Sequence, residues 1–233
     1  MPHQAAIILG ASGSVGSALL DEVERSARFS PVIVVVRRPL GLPGNTKVEE
    51  LIVPDMGPDT IIVSVVDALN RLPVEAVGFS VLGVGAGTAK LSLEQHRAID
   101  VDLNAAFTRG LKESGKVRHL AFMSAVGADI NARMTGSGAA GMSRYARVKA
   151  EAEAAVQRRG PDVVSIFRPS TILGSQHTPR LVSMAASLLA PLTPARFRPI
   201  RTTEIAQAMV ACALNTPSES AVYHHPEMKA LVV

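Results

Sequence analysis

Short runs of aliphatic and β-branched residues alternate along this chain with longer segments whose apolar positions recur every three or four residues. Runs at 5–9, 32–36, 48–53, 76–82, 118–124 and 163–167 read as strands. Several are apolar at consecutive positions, as expected of strands covered on both faces of a parallel sheet. Helical patterns at 14–25, 61–71, 93–113 and 143–159 fall between them. This alternation predicts an α/β fold of the Rossmann type, a doubly wound parallel sheet. Between 37 and 47 the chain holds Pro39, Gly41, Pro43 and Gly44, which predicts a loop in place of a crossover helix or with only a turn of one. The small residues of 135–141 read as a mobile loop. The weakly apolar stretch 181–192, broken by Ser183, Ser187 and Pro191, is too short to span a bilayer and reads as a core or lid helix.

Composition narrows the picture without redirecting it. With 47% hydrophobic residues in 233, the chain has material for one sizeable core. The 24 Lys and Arg exceed the 20 Asp and Glu by only four, and aromatic residues make up 3%, so a nucleic-acid partner lacks both a dense basic patch and stacking platforms. A single cysteine, Cys212, excludes an internal disulfide; its apolar helical context at 205–214 marks it as a small core residue. His224 and His225 lack further ligands at metal spacing, so no metal is expected. The N-terminal segment has no basic n-region and no signal-like apolar core, and together with the lone cysteine this predicts a cytoplasmic location and no export.

The first strand runs into Gly10-Ala11-Ser12-Gly13-Ser14-Val15-Gly16 and then a helix. In that context glycines let backbone approach a pyrophosphate, whose charge is met by the helix N-terminus. The second strand ends in Arg37-Arg38, where a carboxylate would hold the ribose hydroxyls of NAD. Guanidiniums there suit a 2′-phosphate, so the cofactor predicted is NADP(H). Asp55 past the third strand either holds an adenine amino group or caps a turn. Leu82-Gly83 past the fourth is small enough for backbone to run close to a ribose or nicotinamide, or is a flexible turn.

Tyr145 and Lys149 are spaced i, i+4 in a helical pattern and so share a face. An ammonium beside a phenol favours the phenolate, fitting it to exchange a proton with a carbonyl or alcohol. Ser124 ends a strand at the edge where ligands bind in open α/β sheets, and its hydroxyl can orient a carbonyl or simply cap the strand. Pro169-Ser170-Thr171 follow the next strand, where a rigid turn presents backbone groups to a carboxamide.

In this order, Gly10/Gly13/Gly16, Arg37-Arg38, Ser124, Tyr145-x-x-x-Lys149 and Arg168-Pro169-Ser170 resemble the short-chain dehydrogenase/reductases of extended and atypical type. The similarity spans 5–174 and is greatest to the small NAD(P)H-binding branch with the Tat-interactive oxidoreductases and bacterial proteins labelled nucleoside-diphosphate-sugar epimerases. The resemblance implies Tyr145 as acid/base, Lys149 on the nicotinamide ribose and Ser124 on substrate. The chain reads as a single domain over 1–233, with an NADP(H)-binding Rossmann core over 1–173 and, since only about a quarter of the chain lies beyond Gly174, a small C-terminal substrate or lid region over 174–233. Two features depart from the pattern: a longer glycine-rich insertion between Ser124 and Tyr145, and a short C-terminal part. The family's Asn on the helix before the Ser strand has no secure match, though Asn104 lies on that helix. The expected activity is hydride transfer to or from a small carbonyl or alcohol. Alternatives are nucleotide-sugar epimerisation and an NADPH-binding redox sensor acting through 136–141 or 181–192; a homodimer is left open.

Overall fold

The computed structural model describes residues 3–43, 47–133, 139–174 and 193–232. The apolar run at 5–9 lies in β1 (Gln4–Leu9), with α1 (Ser14–Arg25) and β2 (Phe29–Val36) following. Then come β3 (Val48–Ile52), α2 (Pro58–Asn70) and β4 (Ala76–Ser80). The next helical stretch is built from α3 (Leu93–Arg97), a π turn (Ala98–Leu103) and α4 (Asn104–Glu113). β5 (Val117–Met123), α5 (Ala139–Arg159) and β6 (Val163–Phe167) complete the central alternation. The last part carries β7 (Ile172–Leu173), β8 (Ile200–Arg201), α6 (Thr202–Leu214), β9 (Ala221–Tyr223) and α7 (His225–Ala230).

Seven strands form one parallel sheet in the order β3-β2-β1-β4-β5-β6-β9. Successive side chains of a strand point to opposite faces, and here both faces are covered. Ala6 and Ile8 pack with Leu19 and Val23 of α1 and Ile205 and Met209 of α6. Ala5, Ile7 and Leu9 pack with Val65 of α2, Phe107 and Leu111 of α4 and Val156 of α5. That double burial is why the run at 5–9 is apolar without alternation, each large side chain contributing about 1.5–3 kcal/mol. The order reverses between β1 and β4, and the crevice beyond their C-terminal ends is where a doubly wound sheet places its ligand.

Three local features differ from or refine the sequence reading. Helix 93–113 is continuous but carries the π turn, which inserts one extra residue per turn. The capping box of Ser92 and Gln95 starts it. Between β2 and β3 there is no helix among the described residues, and β3 sits at the sheet edge, braced where Leu40 N–H donates to Glu50 (2.7 Å). The expected loop 135–141 is shorter than read, because Ala139 already belongs to α5. Residues 134–138 and the whole of 181–192 lie outside the described residues, so the segments invoked for a sensor role fall largely there. Downstream of 174, α6 buries its apolar face against the sheet and α1, and β9 extends the main sheet beside β6.

Candidate functional site

At the crevice, Gly10 has φ +92°, and a side chain there would place its Cβ 2.7 Å from the Leu82 nitrogen. At Gly16 a Cβ would lie 1.9 Å from the Gly10 carbonyl oxygen. Both positions therefore require glycine for close backbone approach. Gly13 supplies the N-cap of α1 with no side-chain cap, and the first turn of that helix has no acidic residue. Its positive dipole end thus faces the crevice without a built-in anion.

A cleft of about 590 Å³ opens from this turn, lined by Gly10, Ser12, Arg37, Asp55 and Leu82 among others. Five of the residues read from sequence as cofactor-binding are thereby brought to one surface. Arg38 is exposed beside Arg37 without lining the cleft. Asp55 caps a turn, one of the two readings the sequence left open. Its carboxylate accepts from Thr60 Oγ1 at 2.9 Å, and this bond together with the Gly57 N–H holds it below the usual aspartate range, while it also borders the cleft. Met56 beside it has φ +46°, a tight turn that aims both residues toward the crevice.

The predicted catalytic pair does not line the cleft but is joined to its wall through neighbouring residues. Leu82 and Ile99 line it, and their neighbours Gly83 and Asp100 both abut the Lys149 ammonium. A Cβ on Gly83 would lie 2.8 Å from Lys149 Nζ. Asp100 Oδ2 lies 2.9 Å from the same nitrogen. Lys149 Nζ stands 5.6 Å from the centre of the Tyr145 ring, whose other neighbour, His96, stacks on it at 6.1 Å and 12°. Lys149 is 3% exposed and Asp100 and His96 are wholly buried. Burial would push the Lys149 ammonium down, but Tyr145 and Asp100 reverse this and hold it above the usual lysine value. Burial pushes the Asp100 carboxyl up, and Lys149, His96 and the Val84 N–H more than compensate, bringing it to about 2.

Ser124 follows β5 and is 3% exposed, with a hydroxyl that has no hydrogen-bond partner among the described residues. Its N–H donates to Phe167 O (2.7 Å), and Val126 N–H donates to Pro169 O (2.8 Å). These bonds continue the β5–β6 pairing beyond the strand ends and set Ser124 beside the Pro169-Ser170-Thr171 turn. Arg168 anchors that turn to α5 through a paired contact with Glu153, Nε to Oε1 at 2.8 Å. No hydrogen bond joins Ser124 to Tyr145.

Sequence reading missed His96, Asp100 and the role of Asn104. Asn104 Nδ2 donates to the Asp100 carbonyl (2.9 Å) and to Leu82 O (3.3 Å), and its side-chain oxygen accepts from Ser80 Oγ. These three polar residues recur at i, i+4 and i+8, a stripe that reads on sequence as a solvated helix face. All three are completely buried, so the signal was present with its sign inverted.

No family model matches the chain. Among curated proteins it is 28% identical over 224 residues to "Protein FMP52, mitochondrial" of Eremothecium gossypii, covering 90% of this chain and 88% of that protein. It is 29% identical over 177 residues to "Protein HTATIP2" of Rattus norvegicus, covering 74% and 64%. The resemblance to atypical short-chain dehydrogenase/reductases holds. Solved structures agree on the fold. MoeE5 in complex with UDP-glucuronic acid and NAD superposes with TM-score 0.66 at 18% identity, over 94% of this chain and 75% of that one. ChuY, an anaerobillin reductase from Escherichia coli O157:H7, superposes with TM-score 0.63 at 18% identity over 96% and 98%. The architecture is a Rossmann-like α/β fold. The expected cytoplasmic location is overturned, since the FMP52 proteins of Eremothecium gossypii and Saccharomyces cerevisiae are both named as mitochondrial. The lack of a secretory h-region speaks to export alone, because transit segments are amphipathic and Arg-rich instead. Among the described residues no helix is long and apolar enough to cross a membrane.

Proposed function

We propose that the protein is an NADP(H)-dependent oxidoreductase of short-chain dehydrogenase type, acting on a small carbonyl or alcohol. The observation that carries this reading is the Tyr145–Lys149 pair, with the ammonium 5.6 Å from the ring centre and packed against Gly83 and Asp100, the chain neighbours of the cleft-lining Leu82 and Ile99. The residues fit a dinucleotide. Gly10, Gly13 and the α1 N-terminus would hold the pyrophosphate, Arg37 and Arg38 the 2′-phosphate, and Lys149 the ribose beside the nicotinamide. When bound, the cofactor supplies or takes the hydride. Tyr145 Oη gives the matching proton to the nascent alkoxide in reduction and takes it back in oxidation, so one carbonyl gains a hydride and a proton. Lys149 Nζ stabilises the phenolate between turnovers. Ser124 Oγ, buried and unpartnered, donates to the substrate oxygen, which supplies the hydrogen bond it lacks. The names of the FMP52 relatives support a mitochondrial setting.

NADPH consumption over a panel of aldehydes, ketones, quinones and UDP-sugars tests this reading, with cofactor binding measured on the same samples. Turnover is expected, falling about 10²–10⁴-fold in Tyr145→Phe. Replacing Arg37 and Arg38 together with Ala is expected to weaken NADPH about tenfold or more while leaving NADH unchanged. Binding without consumption across the panel, or turnover untouched by Tyr145→Phe, overturns the reading.

A further inference from the structure

Lys149 has a partner that the Tyr-x-x-x-Lys motif does not contain. Its ammonium is enclosed by Gly83, Asp100 and Tyr145, and an isolated ammonium buried this deeply would shed its proton. Asp100 is itself fixed on three sides. One carboxylate oxygen accepts the Val84 N–H (2.9 Å), the other faces Lys149 and lies 3.6 Å from His96 Nε2, and the backbone carbonyl accepts from Asn104. His96 and Asp100 are spaced i, i+4 and so lie on the same side of the helix, where one ring stacks on Tyr145 while one carboxylate reaches Lys149. The other charges nearby have their own partners, although Glu153 still adds to the field that raises Lys149. Glu153 is held by Arg168, Arg97 and Arg147 by Glu151, and Arg144 by the carbonyls of Thr88 and Leu91.

Resting on the oxidoreductase reading above, we propose that Asp100 is the positioning residue of the Tyr145–Lys149 pair, its carboxylate keeping the buried ammonium charged and aimed beside the phenol. The ion pair at 2.9 Å engages one side of an ammonium that has three donors. Without Asp100, Lys149 keeps only Tyr145 and the Arg168-paired Glu153 to offset its burial, its ammonium gives up its proton more readily, and the phenolate loses support.

The chain has two tyrosines and no tryptophan, so tyrosinate absorbance followed against pH, with Tyr145→Phe for subtraction, isolates Tyr145 in the protein without cofactor or substrate. The contribution of the other phenol, Tyr223, which burial pushes up, is common to both samples and cancels in the difference. Asp100→Asn is expected to raise the Tyr145 midpoint by about one pH unit or more, and Asp100→Glu to restore most of it. In the Lys149→Met background the same Asp100→Asn change should lower the midpoint, because it then removes a bare negative charge. A midpoint that is unchanged or lowered by Asp100→Asn with Lys149 present overturns the proposal. If Asp100→Asn alone does not fold by circular dichroism, Asp100→Ser, which also removes the charge, is read in its place with Lys149 present; an unchanged or lowered midpoint overturns the proposal. Failure here with NADPH turnover intact refutes the role of Asp100 alone, whereas loss of the oxidoreductase reading appears in the turnover panel.

Discussion

Two buried polar clusters, both containing a histidine, lie in different parts of this molecule and are built on opposite electrostatic plans. At the cleft, His96, Asp100, Lys149 and Tyr145 enclose a pair of full charges 2.9 Å apart. Across β5, β6 and α6, His119 Nε2 meets Ser165 Oγ at 2.9 Å, Cys212 Sγ donates to the same oxygen at 3.3 Å, and Thr216 Oγ1 lies 3.5 Å from His119 Nδ1. This second cluster is neutral. Burial alone pushes the His119 imidazole down to about 4 and the Cys212 thiol upward, so both groups stay uncharged at physiological pH. Hydroxyls and a neutral ring satisfy one another at low cost, whereas a buried ion pair adds little net stability and is weak evidence of a structural purpose. The difference separates a cluster that ties strands to a helix from one whose charges invite a chemical role.

Breaking the charged cluster on one side should have the largest effect. Lys149→Met leaves the Asp100 carboxylate buried without its partner and is expected to cost about 3–5 kcal/mol in urea unfolding at neutral pH. Adding Asp100→Asn should recover much of that loss. In the wild type the Asp100 contribution is present above its unfolded value near 4 and disappears as pH falls toward its folded value of about 2.

The neutral cluster should respond to pH in a different window. His119 takes up a proton near 6.5 when unfolded and only near 4 when folded, so its contribution is complete above about 6.5 and lost as pH falls toward 4. The linkage amounts to about 3 kcal/mol. Stability measured across that range should decline in the wild type and flatten in His119→Gln; equal slopes would mean that the ring is not held neutral. The smallest effect is expected for Cys212→Ala, about 1 kcal/mol of stability with NADPH turnover unchanged. A loss of turnover there would erase the distinction between the two clusters.

Legibility in the sequence followed the length scale of the interaction. Helix α1 was read at its observed bounds because the glycine turn, the apolar spacing and the last-turn Arg25 are all local. The strand at 163–167 matched for a similar reason, as a continuous apolar run. The π turn was not visible, because its residues have ordinary helical character and only packing against α2 and α5 distinguishes them. Ser124 was found by its place at a strand end. His96 and Asp100 were passed over, because a polar stripe on a helix is solvated unless another helix brings a lysine to cover it.

By itself, then, the sequence determined the parallel Rossmann architecture, the glycine-floored crevice and the shared face of Tyr145 and Lys149, all consequences of periodicity and steric volume within a few residues. Only the tertiary structure decided that Lys149 would be buried against Asp100, that Asp55 would border the cleft while capping its own turn, and that β9 would extend the sheet beside β6. Those outcomes depend on which charges lose their water together, and desolvation is a property of the assembled fold that no local pattern of residues encodes.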